Sequence, residues 1–149
     1  MTTRKITLPN GNAEYRNEFG ELHREDGPAL HNPKTGAAEY RINGQLHSLN
    51  DEPATLFQGG KFWYKHGQLH RDEDKPAVEY PSGYKEWHKN GKSHRDEDKP
   101  AVVYPSGTKM WYKQGKLHRD NDKPAKIESD GSKSYWKNGK EYIPEHPKD

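Results

Sequence analysis

The sequence predicts an all-β fold: an elongated, solenoid-like antiparallel meander of stacked hairpin repeats. Three observations predict it. Gly-x-Leu-His recurs at Gly20–His23, Gly44–His47, Gly67–His70 and Gly115–His118, with Gly91-Lys92-Ser93-His94 as a fifth form, at steps of 23 or 24 residues. Pro and Gly punctuate every copy, so no 3.6-residue helical period survives. Tight-hairpin dipeptides such as Asn90-Gly91, Gln114-Gly115 and Asn138-Gly139 separate short runs rich in Val, Tyr and Trp.

The copy that begins at Gly91 shows the elements in order. Pro100 to Tyr104 reads as a short strand opened by proline, which a strand start tolerates. Pro105-Ser106-Gly107 is turn chemistry, with Pro presetting φ and Gly free to take a positive one. Thr108 to Lys113 is the second strand, Gln114-Gly115 the hairpin turn, and Lys116 to Arg119 a short return strand. Asp120 to Pro124 is a polar loop into the next copy.

Residues 1–149 thus read as one repeat domain. An N-terminal half repeat (6–19) precedes full repeats at 20–43, 44–66, 67–90, 91–114 and 115–138; a part repeat (139–144) and a tail (145–149) follow. Burying one Trp cannot offset the entropy of ordering a whole copy, so stacking is obligatory. The two part repeats are expected to cap the terminal edges.

Composition narrows the classes. Leu, Ile, Val and Phe number only 18, a fraction typical of disorder, yet 25 basic residues face 23 acidic ones and there are 16 aromatics. Rationing of apolar residues at fixed repeat positions resolves that conflict. No apolar run is long enough to span a bilayer, and no leader is visible at the N-terminus. The absence of Cys excludes a disulfide framework, a thiolate metal site and a cysteine nucleophile. Little aliphatic material remains to wall a pocket, so function is expected on a surface.

The stretch Gly107-Thr108-Lys109-Met110-Trp111-Tyr112-Lys113-Gln114-Gly115-Lys116-Leu117-His118 resembles the variant form of the MORN repeat, and Gly83–Lys92 and Gly131–Lys140 match the same pattern. The resemblance covers roughly residues 6 to 143. It implies successive hairpins in a long twisted sheet and a binding or scaffolding role, with protein partners and sometimes lipids, and no catalytic residues. The fuller unit, Leu-His-Arg-Asp/Glu-x-Asp-x-Pro-Ala, is similar to repeats of bacterial and bacteriophage proteins. That likeness implies a cytoplasmic location in a bacterium or phage-infected cell. An inhibitor of a host defence complex would be one concrete form.

Three constellations suggest chemistry and read better as structure. His70-Arg71-Asp72, His94-Arg95-Asp96 and His118-Arg119-Asp120 echo a kinase triplet, but the position five residues after each Asp, where a magnesium-binding Asn would stand, is Ala77, Ala101 or Ala125. The His column recurs two or three strands apart, too far to share one metal; each His is expected to close its loop by hydrogen bonding. The loops Asp72–Asp74, Asp96–Asp98 and Asp120–Asp122 continue into Lys-Pro rather than into calcium-loop ligands. Their Asp side chains are expected to cap turns and pair with the adjacent Arg. No metal and no cofactor is expected, and no enzyme.

The second strand is the most informative. Alternation places Lys, aromatic, Lys on one face in four copies, as in Lys109-Met110-Trp111-Tyr112-Lys113, while the first full copy has Ala38, Tyr40 and Ile42 there. In one reading the Trp packs on the column Ala54, Ala77, Ala101, Ala125 and Lys stems lie along it. In the other, Lys61, Lys65, Lys85, Lys89, Lys109 and Lys113 form with the Trp rings a track for a nucleic acid or a nucleotide. The opposite face carries Phe62, Tyr64, Tyr80, His88, Tyr104, Met110, Tyr112 and Trp136, the composition of a protein-binding hot spot. A thin sheet has no second layer to cover both faces. The leading expectation is therefore a protein partner on the aromatic face, or a second copy of the chain. Net charge of +2 supplies no bulk attraction for nucleic acid.

Overall fold

The computed structural model describes residues 2–149. Among them there is no helix, hence none long and apolar enough to cross a membrane. The fold is an all-β meander of antiparallel hairpins taken in chain order. It comprises two compact units, one ending at Leu69 and one running His70–Asp149.

In the first unit Arg4–Thr7, Ala13–Arg16, Leu30–His31 and Ala38–Glu39 pair in that order. Three hairpins follow: Arg41–Ile42 with Gln45–Leu46, Thr55–Phe57 with Gly60–Phe62, and Tyr64–Lys65 with Gln68–Leu69. In the second unit Val78–Glu79, Lys85–Glu86, Val102–Val103, Lys109–Met110, Lys126–Ile127, Lys133–Lys137 and Lys140–Tyr142 follow one another in one sheet. Side hairpins of the same unit pair His88–Lys89 with Lys92–Ser93 and Tyr112–Lys113 with Lys116–Leu117.

The expected second strand is therefore not continuous. It divides at Trp111, as its counterparts divide at Tyr40, Trp63 and Trp87. The backbone of that residue faces two ways. Trp111 N–H donates to the carbonyl of Ala125 in the next repeat at 2.7 Å, and its carbonyl accepts from His118 N–H at 3.0 Å in its own hairpin. The half before the Trp pairs across the sheet, and the half after it pairs with the return strand. The last copy has Tyr135 in that position and keeps one strand, Lys133–Lys137.

The hairpin turns match their dipeptides. Gln114 and Gly115 both have positive φ, 51° and 81°, the requirement of a type I′ turn whose twist suits the flanking strands. In the loops, Glu97 and Asp98 are consecutive left-handed residues (φ 61° and 55°), as are Asn121 and Asp122. Asp and Asn tolerate that conformation better than most side chains, which accounts for the recurring Asp74, Asp98 and Asp122.

Ala29, Ala54, Ala77, Ala101 and Ala125 have no exposed surface, and Trp63, Trp87, Trp111, Val78 and Val102 are also buried. The Ala-and-Trp row is thus the core. Its lid differs from the expected lysine stems. The Arg95 guanidinium lies 3.8 Å from the Trp87 ring centroid, and Arg119 lies 3.9 Å from that of Trp111. A planar, weakly hydrated guanidinium stacks on indole better than an ammonium does. These arginines also do not pair with the Asp beside them in sequence. Arg95 binds Asp74 through two nitrogens at 2.8 and 3.1 Å, and Arg119 binds Asp98 at 2.7 and 3.1 Å. Lys99 and Lys123 add a third contact to the same carboxylates, each at 2.9 Å. The Asp74 and Asp98 carbonyls accept the Trp87 and Trp111 indole N–H, each at 3.0 Å. One Asp therefore ties two consecutive repeats.

The bonded guanidiniums hold the Asp74 and Asp98 carboxyls down at about 2, against the ordinary 3.8, although burial opposes them. A carboxyl depressed in the folded state contributes stability that is complete above its unfolded pKa and is lost as pH falls through the folded one. The urea midpoint of unfolding is therefore expected to fall between about pH 4 and pH 2. Both side chains are nearly half exposed, so added salt should flatten the decline. A midpoint independent of pH in that window would contradict the Asp–Arg tie.

The His column closes loops as expected. Gln114 N–H donates to His94 Nδ1 and Asn138 N–H to His118 Nδ1, both at 3.0 Å, while the Nε2 atoms meet Asp96 and Asp120 at 2.9 Å. Asn43 and His66 make the same backbone bond to His23 and His47 in the first unit. At the C-terminal end the chain substitutes for missing parts. Tyr135 has no indole, and Lys148 N–H takes the Asp122 carbonyl at 2.9 Å instead. The Tyr142 hydroxyl donates to the Asp122 carboxylate at 3.1 Å.

Candidate protein-binding face

Register sorts the second unit's sheet into two faces. Val102 stands opposite both Glu86 and Met110, Val78 opposite Glu86, and Met110 opposite Lys126. Directly opposed residues in antiparallel strands share a face, so these five lie together. Lys85, Val103, Lys109 and Ile127 share the other face.

The first face holds a cluster of tyrosines over the buried Val78 and Val102. Ring centroids of Tyr80 and Tyr84 are 6.0 Å apart and those of Tyr84 and Tyr104 5.0 Å apart, both edge-on, the geometry that aromatic quadrupoles favour. The Tyr84 hydroxyl donates to the Glu86 carboxylate, and His88 Nε2 meets the other Glu86 oxygen at 2.6 Å. The His88 bond, with help from Tyr84, holds the Glu86 carboxyl below its ordinary range despite burial. Burial, then the bonded Glu86, pushes the Tyr84 phenol up. Burial, then neighbouring Tyr104 and Glu86, does the same to Tyr112.

Of the residues singled out in the sequence, Tyr80, His88, Met110, Tyr112 and Trp136 are half-buried and Tyr104 is 39% exposed. Tyr80, Tyr104 and Tyr112 come together with Tyr84 and Glu86. Trp136 donates its indole N–H to the Ser134 hydroxyl at 2.9 Å. Phe62 and Tyr64 are half-buried in the first unit. Tyr84 and Glu86 were missed. Their signal was departure from the repeat: Thr108 and Ser132 stand where Tyr84 does, and Met110 and Ser134 where Glu86 does.

Lys61, Lys65, Lys85, Lys89, Lys109 and Lys113 are all exposed. The Trp87 and Trp111 rings on their side are buried under guanidiniums and offer no free face to a base. Two clefts of about 240 and 360 Å³ open between successive loops of the second unit, where the apolar scarcity predicted none. Their walls include Arg95 and Arg119, already bound to Asp74 and Asp98. No three His, Asp or Glu side chains among the described residues form a metal-binding group.

Comparison with known proteins finds no matching family model, curated protein or solved structure.

Proposed function

We propose that this chain is a non-enzymatic repeat scaffold that binds a protein partner through the tyrosine face of its second unit. The observation that carries the reading is the cluster of Tyr80, Tyr84, Tyr104 and Tyr112, held on a hydrogen-bonded sheet and only partly covered by its own chain. Rigid, partly exposed tyrosines give large contact area at small entropic cost, and they dominate interface energetics. The likeness to MORN-type repeats points the same way. The six exposed lysines favour a second reading, a phosphate-bearing ligand, for which only their charge and not the covered Trp rings would serve.

Replacing Tyr104 and Tyr112 together by Ala is expected to weaken capture of the partner from bacterial lysate by about 30-fold or more, the effect of losing one hot spot, with the circular dichroism spectrum unchanged. Capture should change little between about 50 and 200 mM salt, whereas phosphate binding would fall steeply. Undiminished capture by the double variant would overturn the reading.

A further inference from the structure

The acids of the second unit mostly meet a cation of their own. Glu79 pairs with Arg71 at 3.3 Å, Asp74 with Arg95, Asp98 with Arg119, and Glu128 with Lys126. Glu86 does not. Its side chain is only 25% exposed, its bonded partners are a phenol and an imidazole, and no Lys or Arg makes an ion pair with it among the described residues. Lys126, on the same face, is committed to Glu128. The imidazole itself is incompletely bonded, since His88 Nδ1 is buried without a partner.

The result is a half-buried carboxylate, held below its ordinary range by His88 and Tyr84, walled by tyrosine rings and without a Lys or Arg partner. Burying a charge without its opposite is unfavourable. Tyrosine faces attract cations. One copy on, Met110 and Tyr112 fill the same positions, so the repeat pattern itself does not call for Glu86 or His88.

Resting on the protein-binding reading, we infer that Glu86 with Tyr84 and Tyr104 forms a receptor for a lysine or arginine side chain of the partner. The incoming ammonium or guanidinium supplies the missing charge, and the phenol rings hold its stem.

The test uses the full chain with 13C-labelled tyrosines, observed by NMR. The probes are N-acetyl-lysine methylamide and N-acetyl-arginine methylamide, with N-acetyl-norleucine methylamide as the neutral control. Saturable ring shifts at Tyr84 and Tyr104 are expected with the two cations and not with norleucine. Glu86→Gln, which keeps the side chain's shape but removes its charge and turns one accepting oxygen into an NH2 donor, should weaken cation binding about tenfold or more. So should Glu86→Met with His88→Tyr, which restores the neighbouring repeat's sequence, and its urea midpoint should be unchanged or raised. Absence of saturable shifts, equal shifts with norleucine, or wild-type binding by either variant would overturn the inference. Capture by the Tyr104→Ala, Tyr112→Ala protein reports separately on the broader reading. Lost capture without cation shifts sinks the cation receptor alone; cation shifts with capture retained sink the broader reading.

Discussion

Trp111→Ala is expected to lower the stability of the second unit by about 3–5 kcal/mol, the usual range for emptying a buried Trp site. The residue is 7% exposed, and two side-chain interactions leave with the ring. The Asp98 carbonyl loses its indole donor, and an orphaned acceptor costs about 1–3 kcal/mol where water cannot reach it. The Arg119 guanidinium loses the ring beneath it but keeps Asp98. In a repeat architecture such a loss is felt by nearest neighbours first. Hydrogen exchange should therefore accelerate at Ala101, Ala125 and His118 N–H before it does at Tyr15 or His23. Trp111→Phe should recover most of the packing and none of the indole bond. Equal urea midpoints for Ala and Phe variants would show that the ring is not what the site uses.

Ala101→Leu is the second large effect, and it acts by the opposite route. Ala101 has no exposed surface, and its backbone bonds both neighbours: its N–H reaches the Met110 carbonyl and its carbonyl accepts from Trp87 N–H, each at 2.8 Å. The added carbons must move one of those strands or leave a staggered rotamer. Overpacking of this kind costs about 1–3 kcal/mol and occasionally more. The same change at Ala54, Ala77 or Ala125, all equally enclosed, should cost similarly, because the column is one structural position repeated. Ala37→Leu, at an exposed site, is the control and should be neutral. The check is the urea midpoint of each variant.

Much of the fold was legible because repetition is a strong signal. Asn90-Gly91 and Gln114-Gly115 announced their turns through the φ they require. The Ala column, the buried Trp and the loop-closing His followed from position within the copy. The division of the second strand at Trp111 was not legible, since it depends on which neighbour each half meets. Alternation within one strand says nothing about a backbone that changes partners. The reach of Arg95 back to Asp74, 21 residues away, was hidden for a similar reason. The sequence also placed Asp96 beside it, and only three-dimensional stacking decides between them. The candidate face was half legible. Tyr80, Tyr104 and Tyr112 were found as an aromatic row. Tyr84 and Glu86 were not, because they depart from the repeat, and the carboxylate without a Lys or Arg partner lies in that departure.

On the proposed function, partners are expected to meet the tyrosine face and not the lysine face. Site-specific photo-crosslinking tests it most directly. p-Benzoylphenylalanine placed at position 104, on the tyrosine face, and at position 109, on the lysine face, would be irradiated in living bacteria, and the adducts read by mass spectrometry. A discrete protein adduct that persists at high salt is expected from position 104, and none from position 109. A protein or nucleic-acid adduct from position 109 with none from position 104 would contradict it.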